Sequence, residues 1–138
     1  MGEEARAKGV HLALAPTTNT ARSPLGGRGF ESYAEDPLLN GLMGVAAVKG
    51  IQSTGVGATT KHFCCNDQET QRYSIDAVVD ERSLREIYLR PFELIVKRAK
   101  PWAVMTGYNR VNGEHASAQT WLLQTILRGV RDRNPDAG

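Results

Sequence analysis

A lysine and a histidine stand side by side in the stretch KHFCCNDQE, residues 61–69, directly after the apolar run GVGATT. Lys61 donates hydrogen bonds, and His62 can donate or accept them. Arg28, in the loop after an earlier apolar run, adds a rigid fork of donors. A charge buried singly at a strand end is costly, so a cluster of these three side chains needs a polar partner. A ligand rich in hydroxyl groups would supply one, whereas a Lys-His pair on its own is more often solvated or bonded within the protein.

Three other motifs favour structural roles. Cys64 and Cys65 are adjacent, which excludes an ordinary loop-closing disulfide and a metal-finger spacing, and packing is the preferred interpretation of both. The stretch GGRG, residues 26–29, lacks the spacing of a phosphate-binding loop and predicts a turn. His115 lies in a polar stretch and is expected to be solvated.

The elements that must position these residues follow a repeating order of strand, long polar loop and helix. Strands are predicted over residues 10–16, 56–63 and 101–108, and polar loops follow each of them, including NRVNGEHASAQ at 109–119. The helices are predicted to begin at Asp36, at Asp80 and at residue 120, with Pro91 breaking the second. Leu38, Leu42, Val45, Ala46 and Lys49 fall at helical spacing, which supports the first of these helices.

Three βα units indicate an α/β protein with a parallel sheet. The pattern fits a (β/α)8 barrel and a doubly wound sheet equally well, and both place function at the carboxyl ends of the strands. A complete barrel takes about 250 residues, so the 138 residues are expected to form part of one.

Composition excludes several classes of partner. The formal net charge of +2 is too balanced to favour nucleic acid, and no apolar run approaches the roughly 20 residues that cross a bilayer. The chain is therefore expected to bind neither nucleic acid nor membrane. Its compartment stays open.

Four ordered motifs carry a family resemblance. They are LAPTTNTARSPLGGRGFESYAEDP, KHFCCNDQETQR, DERSLREIYLRPFELIVKRAKPWAVMTGYNRVNG and LLQTILRG. Together they resemble the N-terminal barrel domain of glycoside hydrolase family 3, most closely that of its fungal β-glucosidases. The resemblance implies a partial (β/α)8 barrel over residues 1–129, followed by a non-matching tail at 130–138.

The resemblance also implies a sugar subsite. Members of the family use an Arg, a Lys-His pair and a second Arg, together with a Met and a Tyr, to hold the sugar at the cleaved end. The corresponding residues here are Arg28, Lys61, His62, Arg72, Met105 and Tyr108. The expected partner is glucose or a β-glucoside, and neither a cofactor nor a metal is implied.

Two carboxylates carry the reaction in enzymes of this type. An Asp attacks the anomeric carbon, and a Glu protonates the leaving oxygen and then activates water. The resemblance places both beyond the last motif, so no catalytic residue is assigned, and Asp132 and Asp136 are rejected because their context does not match. The expectation is a fragment of a retaining β-glucosidase that is inactive alone. A non-catalytic sugar-binding fragment and a non-functional remnant of a broken gene are the alternatives, and an error in the gene model stays open.

Overall fold

The computed structural model describes residues 1–129, and the predicted tail at 130–138 lies outside them. The strands are β1 (Leu12–Ala13), β2 (Gly57–Phe63), β3 (Asp76–Ala77), β4 (Ala103–Thr106), β5 (Arg110–Val111) and β6 (Glu114–His115). The α-helices are α1 (Gly2–Ala7), α2 (Pro37–Gln52), α3 (Glu81–Ser83) and α4 (Arg90–Ala99). A 3-10 turn spans Gly29–Glu31, and π-helical segments span Leu84–Tyr88 and Trp121–Arg128. No helix within residues 1–129 has the length and apolar character to cross a bilayer.

The main sheet has the order β1-β2-β4, and both of its pairs are parallel. Before the chain returns to this sheet or ends its described part, each strand of the sheet is followed by helical structure: α2 after β1, α3 and α4 after β2, and the π-helical segment Trp121–Arg128 after β4, which confirms the three predicted βα units. The first strand is shorter than the predicted 10–16. Pro16 has no N–H to give to a ladder, and pairing resumes beyond it as a single bridge between Thr17 and Lys61. That bridge places the segment after β1 directly beside the end of β2.

Helix α2 begins as predicted, and two glycines lie on the face that it buries. The Asp36 carboxylate accepts the N–H of Leu39 at 2.6 Å. Leu38 and Leu42, which fall at helical spacing in the sequence, are 50% and 40% exposed. The buried face consists of Asn40, Gly41, Gly44, Val48 and Ile51. Glycines on that face let α2 approach α4 closely, and this close approach decided the rotation of the helix.

The second helix is interrupted where proline predicted a break. The Asp80 carboxylate accepts the N–H of Ser83 at 3.0 Å, and a π-helical segment then runs to Tyr88. Helix α4 starts at Arg90, with Pro91 in its first turn, where a missing N–H leaves no hydrogen bond unmade. Phe92 of α4 meets Phe63 of β2 edge to face, with ring centroids 5.2 Å apart.

The stretch 109–119 is not the plain loop that was predicted. Strands β5 and β6 form an antiparallel hairpin, and β5 also pairs with β3. Asn112 and Gly113 make the turn with φ angles of 51° and 95°, the left-handed conformations that an Asn-Gly turn favours. Cys64 and Cys65, by contrast, are free and buried in the core as predicted.

Candidate functional site

Four charged or polar side chains meet at the carboxyl end of β2. Lys61 Nζ lies 3.3 Å from Glu31 Oε2, and Arg28 Nη1 lies 3.2 Å from His62 Nε2. Arg28 Nε also donates to the other oxygen of Glu31. The loop after β1 supplies Arg28 and Glu31, and the strand supplies the other two. The structure therefore brings together the three residues from which the sequence predicted a polar cluster.

Glu31 is the shared partner of both cations, and sequence reasoning missed it. Thr17 Oγ1 donates to Glu31 Oε2 at 2.6 Å, which adds a third donor. Burial raises the pKa of this carboxyl, but hydrogen bonds from Arg28 and Thr17 and the charge of Lys61 outweigh it and lower the pKa to about 2. Arg28 and Glu31 stand three residues apart, the spacing of an ion pair on one helical turn, and this was the available signal.

His62 is buried, at 6% exposed, and held as a neutral base. Burial and the positive charges of Arg28 and Lys61 lower its pKa to about 4. Asn19, in the segment after β1, contacts the backbone and the ring of His62. Asn19 was also absent from the residues predicted to form the site.

A second group lies on the loop after β2. The Arg72 guanidinium donates to Glu69 at 2.9 Å and to the Tyr73 hydroxyl at 3.0 Å. It sits 5.0 Å and 5.3 Å from the ring centroids of Tyr73 and Tyr108, whose rings are 4.8 Å apart. Such contacts are typical of cation–π packing. Tyr73 is a further residue that the sequence did not suggest.

The two groups are neighbours. The positive charge of Arg72 contributes to the lowered pKa of His62. Met105 pairs in register with Lys61 on the adjacent strand and is half-buried. All six predicted residues therefore lie at or just beyond the ends of β2 and β4. Among residues 1–129, no three His, Cys, Asp or Glu side chains come close enough together to hold a metal ion.

Comparison with known proteins identifies the family. The family model described as the N-terminal domain of glycosyl hydrolase family 3 matches residues 1–131. The chain belongs to glycosyl hydrolase family 3. It is 57% identical over 128 residues to a probable β-glucosidase I of Aspergillus flavus, and 56% identical over 128 residues to a β-glucosidase of Kluyveromyces marxianus. Each alignment covers 93% of this chain and 15% of the relative.

Solved structures of the same family superpose closely. A β-glucosidase 3B of Thermotoga neapolitana in complex with glucose and the K. marxianus β-glucosidase in complex with glucose both give a TM-score of 0.91 at 56% identity. Each match covers 94% of this chain, and 18% and 16% of the solved chain respectively. The predicted family and the predicted fold class, an α/β fold forming part of a (β/α)8 barrel, are confirmed.

One carboxyl of this family 3 domain has few partners. The Asp67 side chain is 16% exposed, its Oδ2 lies 3.7 Å from Arg22 Nη1, and its buried Oδ1 has no hydrogen-bond partner among residues 1–129. Burial raises its pKa to about 6, against the opposing charge of Arg22. The folded state therefore binds this proton more tightly than the unfolded state. The resulting stability is fully present below the unfolded pKa of 3.8 and is lost as the pH rises through about 6.

Replacing Asp67 with Asn should consequently stabilise the domain at pH 8. The neutral amide avoids the buried charge, and we expect a gain of about 1 kcal/mol, or about 4 °C in the unfolding temperature. The gain should shrink when unfolding is followed by circular dichroism at pH 4, where Asp67 is itself protonated. Glu35→Gln, at an exposed position, is the matched control. An Asp67→Asn variant that unfolds at the wild-type temperature at pH 8 would contradict the raised pKa of Asp67.

Proposed function

We propose that this chain supplies part of the sugar-binding subsite of a retaining β-glucosidase, one that acts on terminal, non-reducing β-D-glucosyl residues. The observation that carries the proposal is the joint placement of Arg28, Lys61, His62 and Glu31 at the carboxyl end of β2. In a (β/α)8 barrel this end of the strands is where active sites lie. Membership of glycosyl hydrolase family 3, and relatives named β-glucosidase at 56–57% identity, support the same assignment.

The chemistry of the cluster suits a sugar. Each hydroxyl group of a sugar can donate one hydrogen bond and accept others. Arg28 and Lys61 supply donors, while the Glu31 carboxylate and the neutral His62 supply acceptors. A buried cluster with both kinds of partner rejects ligands that leave one of its groups unpaired, since an unpaired buried polar group is costly. Arg72, Met105 and Tyr108 extend this subsite. Two relatives in the family are solved in complex with glucose.

Binding on the full 138-residue chain tests this proposal first. In the 15N-labelled chain, glucose should shift the amide signals of Arg28, Lys61 and His62 in a saturable way, and the acyclic polyol sorbitol should not. Each shift should follow the same binding curve, because the three residues share one site. Signals that do not move with glucose, or that move equally with sorbitol, would count against a glucosyl site.

Bond cleavage is proposed to depend on residues outside this set. The family mechanism needs an Asp nucleophile and a Glu acid/base, and we assign neither to a residue of this chain. The chain alone is therefore expected to release no nitrophenol from an aryl β-glucoside, because the attacking carboxylate contributes orders of magnitude in rate. Steady hydrolysis that tracks the purified chain would reject this part of the proposal.

A segment exchange tests the same residues during turnover. Residues 1–129 would replace the homologous segment of the K. marxianus β-glucosidase, with which the chain shares 56% identity. We expect the chimera to hydrolyse the aryl β-glucoside and to lose most of this activity when His62 is replaced with alanine. The Lys49→Met chimera, altered at an exposed helix position, is expected to stay active. A folded chimera in which His62→Ala has no effect would argue against the sugar-binding role.

A further inference from the structure

Asn19 and His62 are joined by three hydrogen bonds, and both are buried, at 5% and 6% exposed. The Asn19 Nδ2 donates to the carbonyl oxygen of His62 at 2.9 Å. The backbone N–H of His62 donates to Asn19 Oδ1 at 2.9 Å, and the same oxygen lies 3.3 Å from His62 Nδ1. A carbonyl only accepts and an N–H only donates, so these two backbone groups fix which end of the Asn19 amide is oxygen.

The orientation of the amide then decides the protonation of the ring. Asn19 Oδ1 is an acceptor, so the His62 Nδ1 that faces it must carry the proton. On the other side of the ring, Nε2 lies 3.2 Å from Arg28 Nη1, and a guanidinium has donors but no acceptor. Nε2 must therefore present its lone pair. Two independent neighbours, one at each ring nitrogen, require the same neutral form.

We propose that Asn19 is a positioning residue that locks His62 in the neutral Nδ1–H tautomer, with the Nε2 lone pair directed toward Arg28 and the candidate sugar site. Neutral histidine in water favours the opposite tautomer, with the proton on Nε2, so the lock is a property of this site. Asn40 holds the backbone that carries Asn19, because the Asn40 Nδ2 donates to the carbonyl oxygens of Thr18 and Asn19 at 2.9 Å and 3.2 Å.

The charged groups around the ring favour the same state. Arg28, Lys61 and Arg72 bring positive charge toward His62, and Glu31 is the opposing negative charge. A cationic His62 would place an Nε2–H against the donors of Arg28. This arrangement agrees with the pKa of about 4.

The tautomer has a consequence for recognition, which rests on the proposed function. A ligand hydroxyl that takes the place of Arg28 at His62 Nε2 must act as the donor of that hydrogen bond, whereas hydroxyls that reach Arg28 or Lys61 must act as acceptors. His62 would thus distinguish a hydroxyl group from a methoxy group at the same carbon, since the ether cannot donate. The tautomer itself does not depend on which ligand binds.

Nitrogen NMR of the full chain tests the lock directly. Long-range 1H–15N correlation at pH 7 separates protonated from unprotonated ring nitrogens, and loss of one pattern in His62→Gln assigns the signals. His62 should show a protonated Nδ1 and an unprotonated Nε2. The exposed His11 should show the ordinary mixture dominated by Nε2–H. An Nε2–H pattern for His62, or a mixture like that of His11, would overturn the proposal.

Two matched variants test whether Asn19 is the cause. Asn19→Asp keeps the shape and the acceptor but places a carboxylate against Nδ1–H. Asn112 brackets the N–H and carbonyl of Val79 at 2.8 Å each, as Asn19 brackets His62, but the bracketed residue carries no ring. Asn112→Asp is therefore the control. We expect Asn19→Asp to raise the pKa of His62 by about 1 to 3 pH units, with Nδ1 still protonated, and Asn112→Asp to leave it unchanged.

Equal His62 titration curves in the two variants would reject Asn19 as the positioning residue. A glucose titration of the same labelled samples keeps the two proposals apart. A locked His62 with no glucose response removes the proposed function and leaves the positioning role standing. A glucose response with an Nε2–H ring does the reverse.

Discussion

Replacing Lys61 with methionine should weaken glucose binding to the 138-residue chain by about 10- to 150-fold. Methionine keeps the length and the apolar stem of the side chain but removes the ammonium that lies 3.3 Å from Glu31. A hydrogen bond that involves a charged group contributes about 1.5 to 3 kcal/mol, which sets the size of the loss. Glucose titration followed by the amide shifts of the 15N-labelled variant measures it.

The control for this variant is Lys49→Met, since Lys49 is exposed near the end of α2. It makes the same chemical change and should leave glucose affinity unaltered. Circular dichroism of both variants checks that the fold is retained. If Lys61→Met binds glucose as tightly as Lys49→Met does, then Lys61 is only a structural partner of Glu31, and the sugar site must be placed elsewhere.

The order of the elements could be predicted from the sequence because each carries a local signal. Asp36 and Asp80 cap helices through their own carboxylates, and Pro91 interrupts the helical ladder because it lacks an N–H, so that α4 begins with it in the first turn. The rotation of α2 could not be predicted in this way. The face that it buries depends on the partner helix, which approaches the glycines and leaves Leu38 and Leu42 half exposed.

The hairpin at 109–119 was missed for a different reason. Its strands are two residues each, too short to show an alternating pattern, although the Asn-Gly pair between them is a strong turn signal. The Asn-Gly signal was present in the sequence, but the polar composition of the stretch led to the prediction of a loop.

The candidate site was likewise predictable only in part from the sequence. The types of Arg28, Lys61 and His62 already indicated a need for polar partners. Their partners Glu31 and Asn19 come from the loop after β1, and no periodicity reports which loop residue folds back onto a strand. The bridge from Thr17 to Lys61 and the hydrogen bonds from Asn19 to His62 bring that loop to β2. Tertiary contact, which a single sequence does not report, supplied the missing half of the cluster.

Replacing Gly44 with valine should destabilise the domain by about 3 kcal/mol and lower its unfolding temperature by about 10 °C. A Cβ atom at this position would lie 2.4 Å from Cδ1 of Ile95 and 2.9 Å from Cγ2 of Thr18. Ile95 is fully buried, so its displaced side chain meets other core atoms, and we expect α2 and α4 to separate. The displaced Thr18 precedes Asn19, so the amide signal of His62 should shift as well.

The matched control is in the same helix. Gly50 is exposed, and a Cβ placed there meets no atom from elsewhere in the described part of the chain within 4 Å. Gly50→Ala should therefore raise stability by about 0.5 to 1 kcal/mol, because alanine restricts the unfolded chain and glycine is unfavourable in a helix interior. The two substitutions, six residues apart, should change stability in opposite directions. Helix propensity alone would make Gly50→Ala stabilising and would give Gly44→Val only a small change. A large loss of stability in Gly44→Val therefore reports close helix packing. A Gly44→Val variant that unfolds at the wild-type temperature would show that α2 and α4 are not in close contact at Gly44.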